Sequence, residues 1–304
     1  MVTKRTCETL SDDGGDLLVL EICRLFPGPL AGKILVSLGF QVVRLIPPQG
    51  DLLETFAPEL SAWLNASKTS EILNLKDDAG KERLRSLARV AQVVLDTNLP
   101  GVMERLDVGP EVLRAANFAL VYVRLAGSRD PVFRNIPGHD LNYLAAAGLL
   151  PFLDSTWQRF QLADISSAFW MAIAALEGIR RGGGFYEIYA EEASRVFSYP
   201  KVPHLDGNSL CYAIYPCAEG SVTLAALESH LWQRFCRAMK RDEWANSAFT
   251  MATSANPIYL ELCSAFSKRN ADEWEAWAVE ATVPLRKVRT LNTQELSSPW
   301  WHRG

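Results

Sequence analysis

Short apolar runs alternate with charged, amphipathic stretches through the first 125 residues. Residues 17–23 are apolar except for Glu21 and lie between Gly14-Gly15 and the turn-forming Phe26-Pro27-Gly28-Pro29. A bounded run of that length predicts a buried strand. Pro29 can open a helix over 30–38, which Gly39 ends. Residues 41–46 read as a second strand, stopped by Pro47-Pro48. A charged amphipathic helix is expected over 77–89, a strand over 91–95, a helix over 110–116 and a strand over 119–125. Strands separated by helices predict a parallel, Rossmann-like sheet. No Gly-x-Gly-x-x-Gly follows the first strand, which argues against dinucleotide binding.

From 137 to 181 the pattern is apolar and mostly helical, with small residues at 145–148 and again from Ser166 onward. Arg180-Arg181-Gly182-Gly183-Gly184 ends the second of these helices, and a strand is expected over 185–189. The pattern changes at Cys211: 212–215 and 222–226 predict two strands around the turn at Glu219-Gly220. Helices are expected over 230–240, 256–269 and 271–280, with Trp232, Phe235, Trp274 and Trp277 at the helical spacing of core packing. Residues 282–291 read as another short strand region. The expected fold class is α/β. A large Rossmann-like domain spans 1–190, a linker 191–210, a smaller α+β domain 211–281 and a C-terminal return segment 282–304.

Composition narrows the picture mainly by exclusion. Hydrophobic residues form 48% and charged residues 22% of the 304, as in ordinary globular proteins. A net charge of −4 gives no general attraction to nucleic acid or to a membrane surface. No apolar stretch reads as long and uninterrupted enough to span a bilayer. The six cysteines, Cys7, Cys23, Cys211, Cys217, Cys236 and Cys263, include no Cys-x-x-Cys pair. That argues against the common zinc and thioredoxin-like patterns. Asp12, Asp13 and Asp16 follow Lys4 and Arg5 too soon for a secretory signal. Reduced, packed thiols, a cytoplasmic setting and no bound metal are the expectation.

Chemistry concentrates in Gly138-His139-Asp140-Leu141-Asn142-Tyr143 and in Asp164. Two proton-exchanging groups on opposite faces of one carbon can remove a proton from one side and return it on the other. Histidine holds either protonation state near neutral pH, and burial can raise a carboxyl to match it. His139 and Asp164 are therefore expected in opposite protonation states. The enolate between them needs hydrogen-bond donors, such as a helix N-terminus or a backbone N–H. Asp140 is expected to orient its neighbours or cap a helix. Asp164 also fits a helix N-cap, and Glu228 also fits stabilisation of a helix dipole.

Several motifs in shared order carry a family resemblance. They are Leu18-Val19-Leu20-Glu21 with the segment 24–32, Val42-Val43-Arg44 with Pro47-Pro48, Leu73-Asn74-Leu75-Lys76, and 100–106. Leu120-Val121-Tyr122, Gly138-His139-Asp140, Ala163-Asp164 and 212–228 complete the set. On these residues the chain resembles the family III CoA transferases, in particular their alpha-methylacyl-CoA racemase branch. The resemblance implies a large α/β domain joined to a small one, and two chains interlocked as a homodimer. It implies an acyl-CoA substrate and no required cofactor, while the charge and the apolar pattern give the expectation of no nucleic-acid or membrane partner. It places proton exchange on His139 and Asp164, with Glu228 supporting His139 and Asp140 beside it. It places the CoA nucleotide near Arg24, Lys68, Lys76 and Arg105.

The chain departs from the family pattern on the CoA side. Asn65-Ala66-Ser67-Lys68 stands where relatives carry Asn-Arg-Gly-Lys, and Thr97-Asn98-Leu99-Pro100-Gly101 where they carry Asn-Phe-Arg-Pro-Gly. Each change removes an arginine, and an arginine–phosphate bond contributes roughly 1.5–3 kcal/mol. Arg24, Arg44, Lys68, Lys76, Arg105 and Arg124 are the cations available to compensate. Ile165-Ser166 follows Asp164 where relatives have a Gly-Gly pair. Three readings follow: an acyl-thioester racemase or epimerase; a CoA transferase with Asp164 as the nucleophile that forms an acyl anhydride; or a divergent member acting on a non-CoA or carrier-tethered metabolite, or without catalysis.

Overall fold

A computed structural model describes residues 17–153, 160–198 and 204–290. They form two compact units, one up to residue 198 and one from residue 204.

The strands of the first unit are β1 (Leu18–Ile22), β2 (Gln41–Ile46), β3 (Thr69–Ile72), β4 (Val93–Asp96), β5 (Val121–Ala126) and β6 (Gly184–Tyr189). They form one sheet in the order β3-β2-β1-β4-β5-β6, every neighbouring pair parallel. Its helices are α1 (Pro27–Ser37), α2 (Leu52–Phe56), α3 (Pro58–Asn65), α4 (Asp78–Val90), α5 (Val102–Arg105), α6 (Pro110–Ala116), α7 (Asp140–Ala146), α8 (Leu162–Arg180) and α9 (Ala190–Ser194). Every residue of β1, β4 and β5 is buried, as a sheet covered on both faces requires. The pleat sends Val19, Val42, Val93 and Val121 toward α1 and α8. It sends Leu20, Val43, Val94 and Tyr122 toward α4 and α6.

Helix α1 starts at Pro27 rather than at Leu30. Proline is tolerated in a first turn because no intrahelical acceptor awaits its N–H. Helices α2 and α3 and strand β3 fall where no element was expected. The first is capped by Asp51, whose carboxylate accepts from Leu53 N–H at 3.0 Å. Strand β3 (Thr-Ser-Glu-Ile) is mostly exposed and pairs only with β2. It therefore lacks the apolar alternation that marks a half-buried strand. The segment expected as a linker from 191 instead begins inside α9, whose Ala190, Ala193 and Ser194 are buried.

Helix α8 corrects the reading that no apolar stretch is long enough for a bilayer. Its 19 residues are long and apolar enough by length and composition, and half of its most apolar window is buried in the protein. Its small residues Ala168, Ala172 and Ala175 belong to the sheet's core, and Gly178 lies on Val121. At the end of α8, Gly183 holds φ at +115°, and a Cβ there would sit 2.5 Å from the Phe118 carbonyl oxygen. Only glycine suits both conditions.

The second unit has β7 (Tyr212–Pro216), β8 (Ser221–Ala225) and β9 (Leu285–Lys287) in one antiparallel sheet, with α10 (Ser229–Ala238), α11 (Pro257–Phe266) and α12 (Ala271–Ala281). Trp232, Phe235, Phe266 and Trp274 are buried in its core. Their indole N–H groups are satisfied: Trp232 donates to the Trp244 carbonyl and Trp274 to that of Phe266, each at 2.9 Å. The return segment expected over 282–304 enters this sheet as β9, and its residues from 291 onward lie outside the described residues.

Candidate active site

The strand order reverses between β1 and β4. Open α/β sheets take ligands at the carboxyl ends of the strands at such a point. A cavity of about 300 Å³ lies there, lined among others by Arg24, Pro47, Lys76, Asn98, Met103 and Arg105, with no acidic residue on its wall among the described residues. Arg24, Lys76 and Arg105 are all exposed, so three cations surround a neutral floor suited to an anion. Their backbones are held locally. The Arg24 N–H donates to Thr97 Oγ1 at 3.0 Å, and the Lys76 N–H to Asn74 Oδ1 at 3.1 Å. Asn98, whose position carries no signal in the sequence, also borders the cavity. Its amide donates to Asp96 Oδ1 at 2.8 Å and to the Ile22 carbonyl at 3.3 Å, tying the ends of β4 and β1 together.

Lys68 does not join this group. Its side chain is fully buried, and its ammonium donates to Glu21 Oε2 and to the Pro29 carbonyl at 2.7 Å each, and to Asn65 Oδ1 at 3.2 Å. Burial lowers the Lys68 pKa and raises that of Glu21, while their attraction opposes both shifts. Arg44 is likewise committed, to Asp51 at 3.0 Å and Glu54 at 3.3 Å. Arg124 is held by Glu104 at 2.8 Å and Asp96 at 3.2 Å. Of the six cations expected to compensate, these three are consumed within the fold. Cys23 borders the cavity, but burial and the nearby Glu21 and Asp96 carboxylates push its thiol well up. It is therefore a poor nucleophile.

The second group of expected residues gathers at the start of α8. Asp140 reaches across from α7, its Oδ1 accepting from the Ala163 N–H at 2.7 Å and the Asp164 N–H at 3.2 Å. One carboxylate oxygen thus joins the two segments that carry the candidate proton-exchange groups. His139 occupies the N-cap position of α7 and is exposed. Among the described residues no hydrogen bond or ion pair joins His139 to Asp164. Burial and the charge of Asp140 raise the Asp164 pKa to about 7. Burial also raises that of Asp140, against the pull of its two N–H donors. Tyr143 lies beside them. Burial and the Asp164 and Glu191 carboxylates push its phenol up to about 12.

Two expectations change here. Asp164 is not the cap of α8; it lies inside the first turn, and Asp140 does the capping. The α8 N-terminus also cannot serve a developing enolate. The N–H groups of Ala163 and Asp164 are taken by Asp140, and that of Ile165 by the Gln161 carbonyl at 2.9 Å. Glu228 belongs to the second unit, exposed at the N-cap position of α10, where its carbonyl accepts from Leu231 and Trp232 N–H. Among the described residues no cluster of three or more His, Cys, Asp or Glu side chains is placed to hold a metal ion.

The profile of CoA-transferase family III matches residues 15–184 and 189–304. Human alpha-methylacyl-CoA racemase is 27% identical over 286 residues, covering 84% of this chain and 72% of that protein. Succinyl-CoA:mesaconate CoA-transferase of Haloarcula marismortui is 29% identical, covering 76% of this chain and 68% of that protein. The crystal structure of Rv3272 from Mycobacterium tuberculosis aligns with a TM-score of 0.74 at 25% identity, covering 93% of this chain and 85% of that one.

Proposed function

The chain belongs to CoA-transferase family III, and from that membership and the α7–α8 geometry we propose that it is an acyl-thioester epimerase. Its substrate is an acyl-CoA whose nucleotide occupies the cavity bordered by Arg24, Lys76 and Arg105. Its reaction is exchange of the proton next to the thioester carbonyl. In one direction neutral His139 takes that proton, and protonated Asp164 returns one to the opposite face. The roles reverse for the other enantiomer. The active form in this reading is a homodimer. The exposed face of α8, with Phe169, Trp170 and Ile173 at 43–51% exposure, is the apolar surface that a second copy would cover.

The observation that carries the proposal is the placement of Asp164, in the first turn of α8 with its N–H bonded to Asp140, a setting that raises its carboxyl to about 7. A general acid must hold its proton at working pH, and this carboxyl does so for a good part of the time near neutrality. A transferase nucleophile needs the carboxylate instead. The same burial therefore weighs against the anhydride route.

The test uses one enantiomer of a 2-methylacyl-CoA together with a free carboxylate acceptor. Inversion at the alpha carbon with no movement of CoA to the acceptor is the expected result. CoA transfer without inversion would select the transferase reading. Failure of CoA to raise the melting temperature would select the reading in which CoA is no longer the carrier.

A further inference from the structure

The peptide unit between Gly138 and His139 is held at both ends by side chains of the helix that follows it. Its carbonyl oxygen, on Gly138, accepts from the Tyr143 hydroxyl at 2.8 Å. Its N–H, on His139, donates to Asn142 Oδ1 at 3.0 Å. A peptide plane has one rotational freedom about its flanking bonds, and two bonds at opposite edges remove it. The Tyr143 ring is itself wedged in place. A Cβ on Gly138 would lie 2.9 Å from its ring, and a Cβ on Gly127, just past β5, would lie 2.8 Å from it. The phenol thus spans from the end of β5 to the turn that carries His139, and it also senses the Asp164 charge.

We propose that Asn142 and Tyr143 form a peptide clamp that positions His139 against Asp164. This inference rests on the proton-exchange reading for its catalytic consequence, though the clamp itself does not. Asp140 fixes the distance between the two segments, because it bonds to the α8 amides. The clamp fixes direction. With the 138–139 peptide locked, the direction of the His139 Cα–Cβ bond from the turn is set by the single angle φ, which is −132°. Neither residue touches the reacting atoms in this scheme, so both are positioning residues. An exposed histidine at a helix start otherwise samples several backbone settings, and misplacing a catalytic group by about 1 Å can cost on the order of a hundredfold in rate.

The experiment compares wild type with Tyr143→Phe, Asn142→Leu and Asn142→Asp in two readouts. The first is hydrogen exchange of the His139 amide, followed by NMR, which needs no substrate. It should quicken in Asn142→Leu and in Tyr143→Phe, and return toward wild type in Asn142→Asp, which keeps an acceptor oxygen. The second is the rate of alpha-proton exchange on 2-methylacyl-CoA. Its kcat should fall roughly tenfold to a hundredfold in the first two variants, with KM unchanged and activity restored in Asn142→Asp. A His139 amide unaffected by both disruptive variants overturns the clamp. A quickened amide with unchanged kcat overturns its positioning role. If wild type shows no exchange while the amide responds as expected, the epimerase reading fails and the clamp stands.

Discussion

Asp164 and Lys68 show how far one side chain's role depends on what surrounds it. Asp164 sits in the first turn of α8 with its carboxyl raised to about 7, against an unfolded value of about 3.9. Between those values the native state binds a proton that the unfolded chain does not. The associated stability is complete below about pH 4 and is lost as pH rises through about 7. Urea unfolding across that range should show the wild-type midpoint falling with rising pH, and Asp164→Asn should flatten the fall. An equally steep fall in the variant would place the titrating group elsewhere. Lys68 and Lys76 are both lysines of family motifs, but one is buried on Glu21 and the other borders the cavity. Lys68→Ala removes the shorter of two ion pairs to the buried Glu21 carboxylate, leaving Arg44 at 3.8 Å, and should cost about 3–5 kcal/mol of stability. Lys76→Ala, at the surface, should change stability by no more than about 0.5 kcal/mol while weakening CoA binding, read by calorimetry. Equal stability losses in the two variants would contradict the assignment.

At the level of elements, the strands that bury both faces were legible in the sequence. β1, β2, β4 and β5 are mainly apolar runs, each carrying one buried charged residue (Glu21, Arg44, Asp96 and Arg124), and each lies within two residues of its expected bounds. Strand β3 was not legible, because a mostly exposed edge strand needs no apolar pattern. Nor were α2 and α3, two short helices set between Pro47-Pro48 and Lys68, whose starts depend on the Asp51 cap and on Pro58. The candidate site was legible in part. His139, Asp140 and Asp164 stand out by type, and the structure joins their segments. The Asp140 bonds to the amides of Ala163 and Asp164 were not readable, because an acceptor more than twenty positions away leaves no local signature. Lys68 was misassigned for the same reason: its partner Glu21 lies 47 positions back, in β1. The clamp is local by contrast: Asn142 and Tyr143 follow His139 by three and four positions within one short motif.

For the whole molecule, the first unit brings together an anion-suited cavity at the β1–β4 switch point and a carboxyl pair at the start of α8. The apolar outer face of α8 belongs to the same account. Sedimentation should give a dimer, and Ile173→Asp, which puts a charge on that face, should shift it toward monomer; a monomeric wild type would remove the homodimer from the proposal. The central claim is that His139 and Asp164 act on opposite faces of one carbon, and one measurement reaches it directly. A single enantiomer of a 2-methylacyl-CoA is incubated in deuterated water with wild type, His139→Ala and Asp164→Asn, and the configuration and label at the alpha carbon are read. The account predicts an inverted, deuterated product from wild type and no inversion from either variant. Inversion that persists in either variant would contradict it.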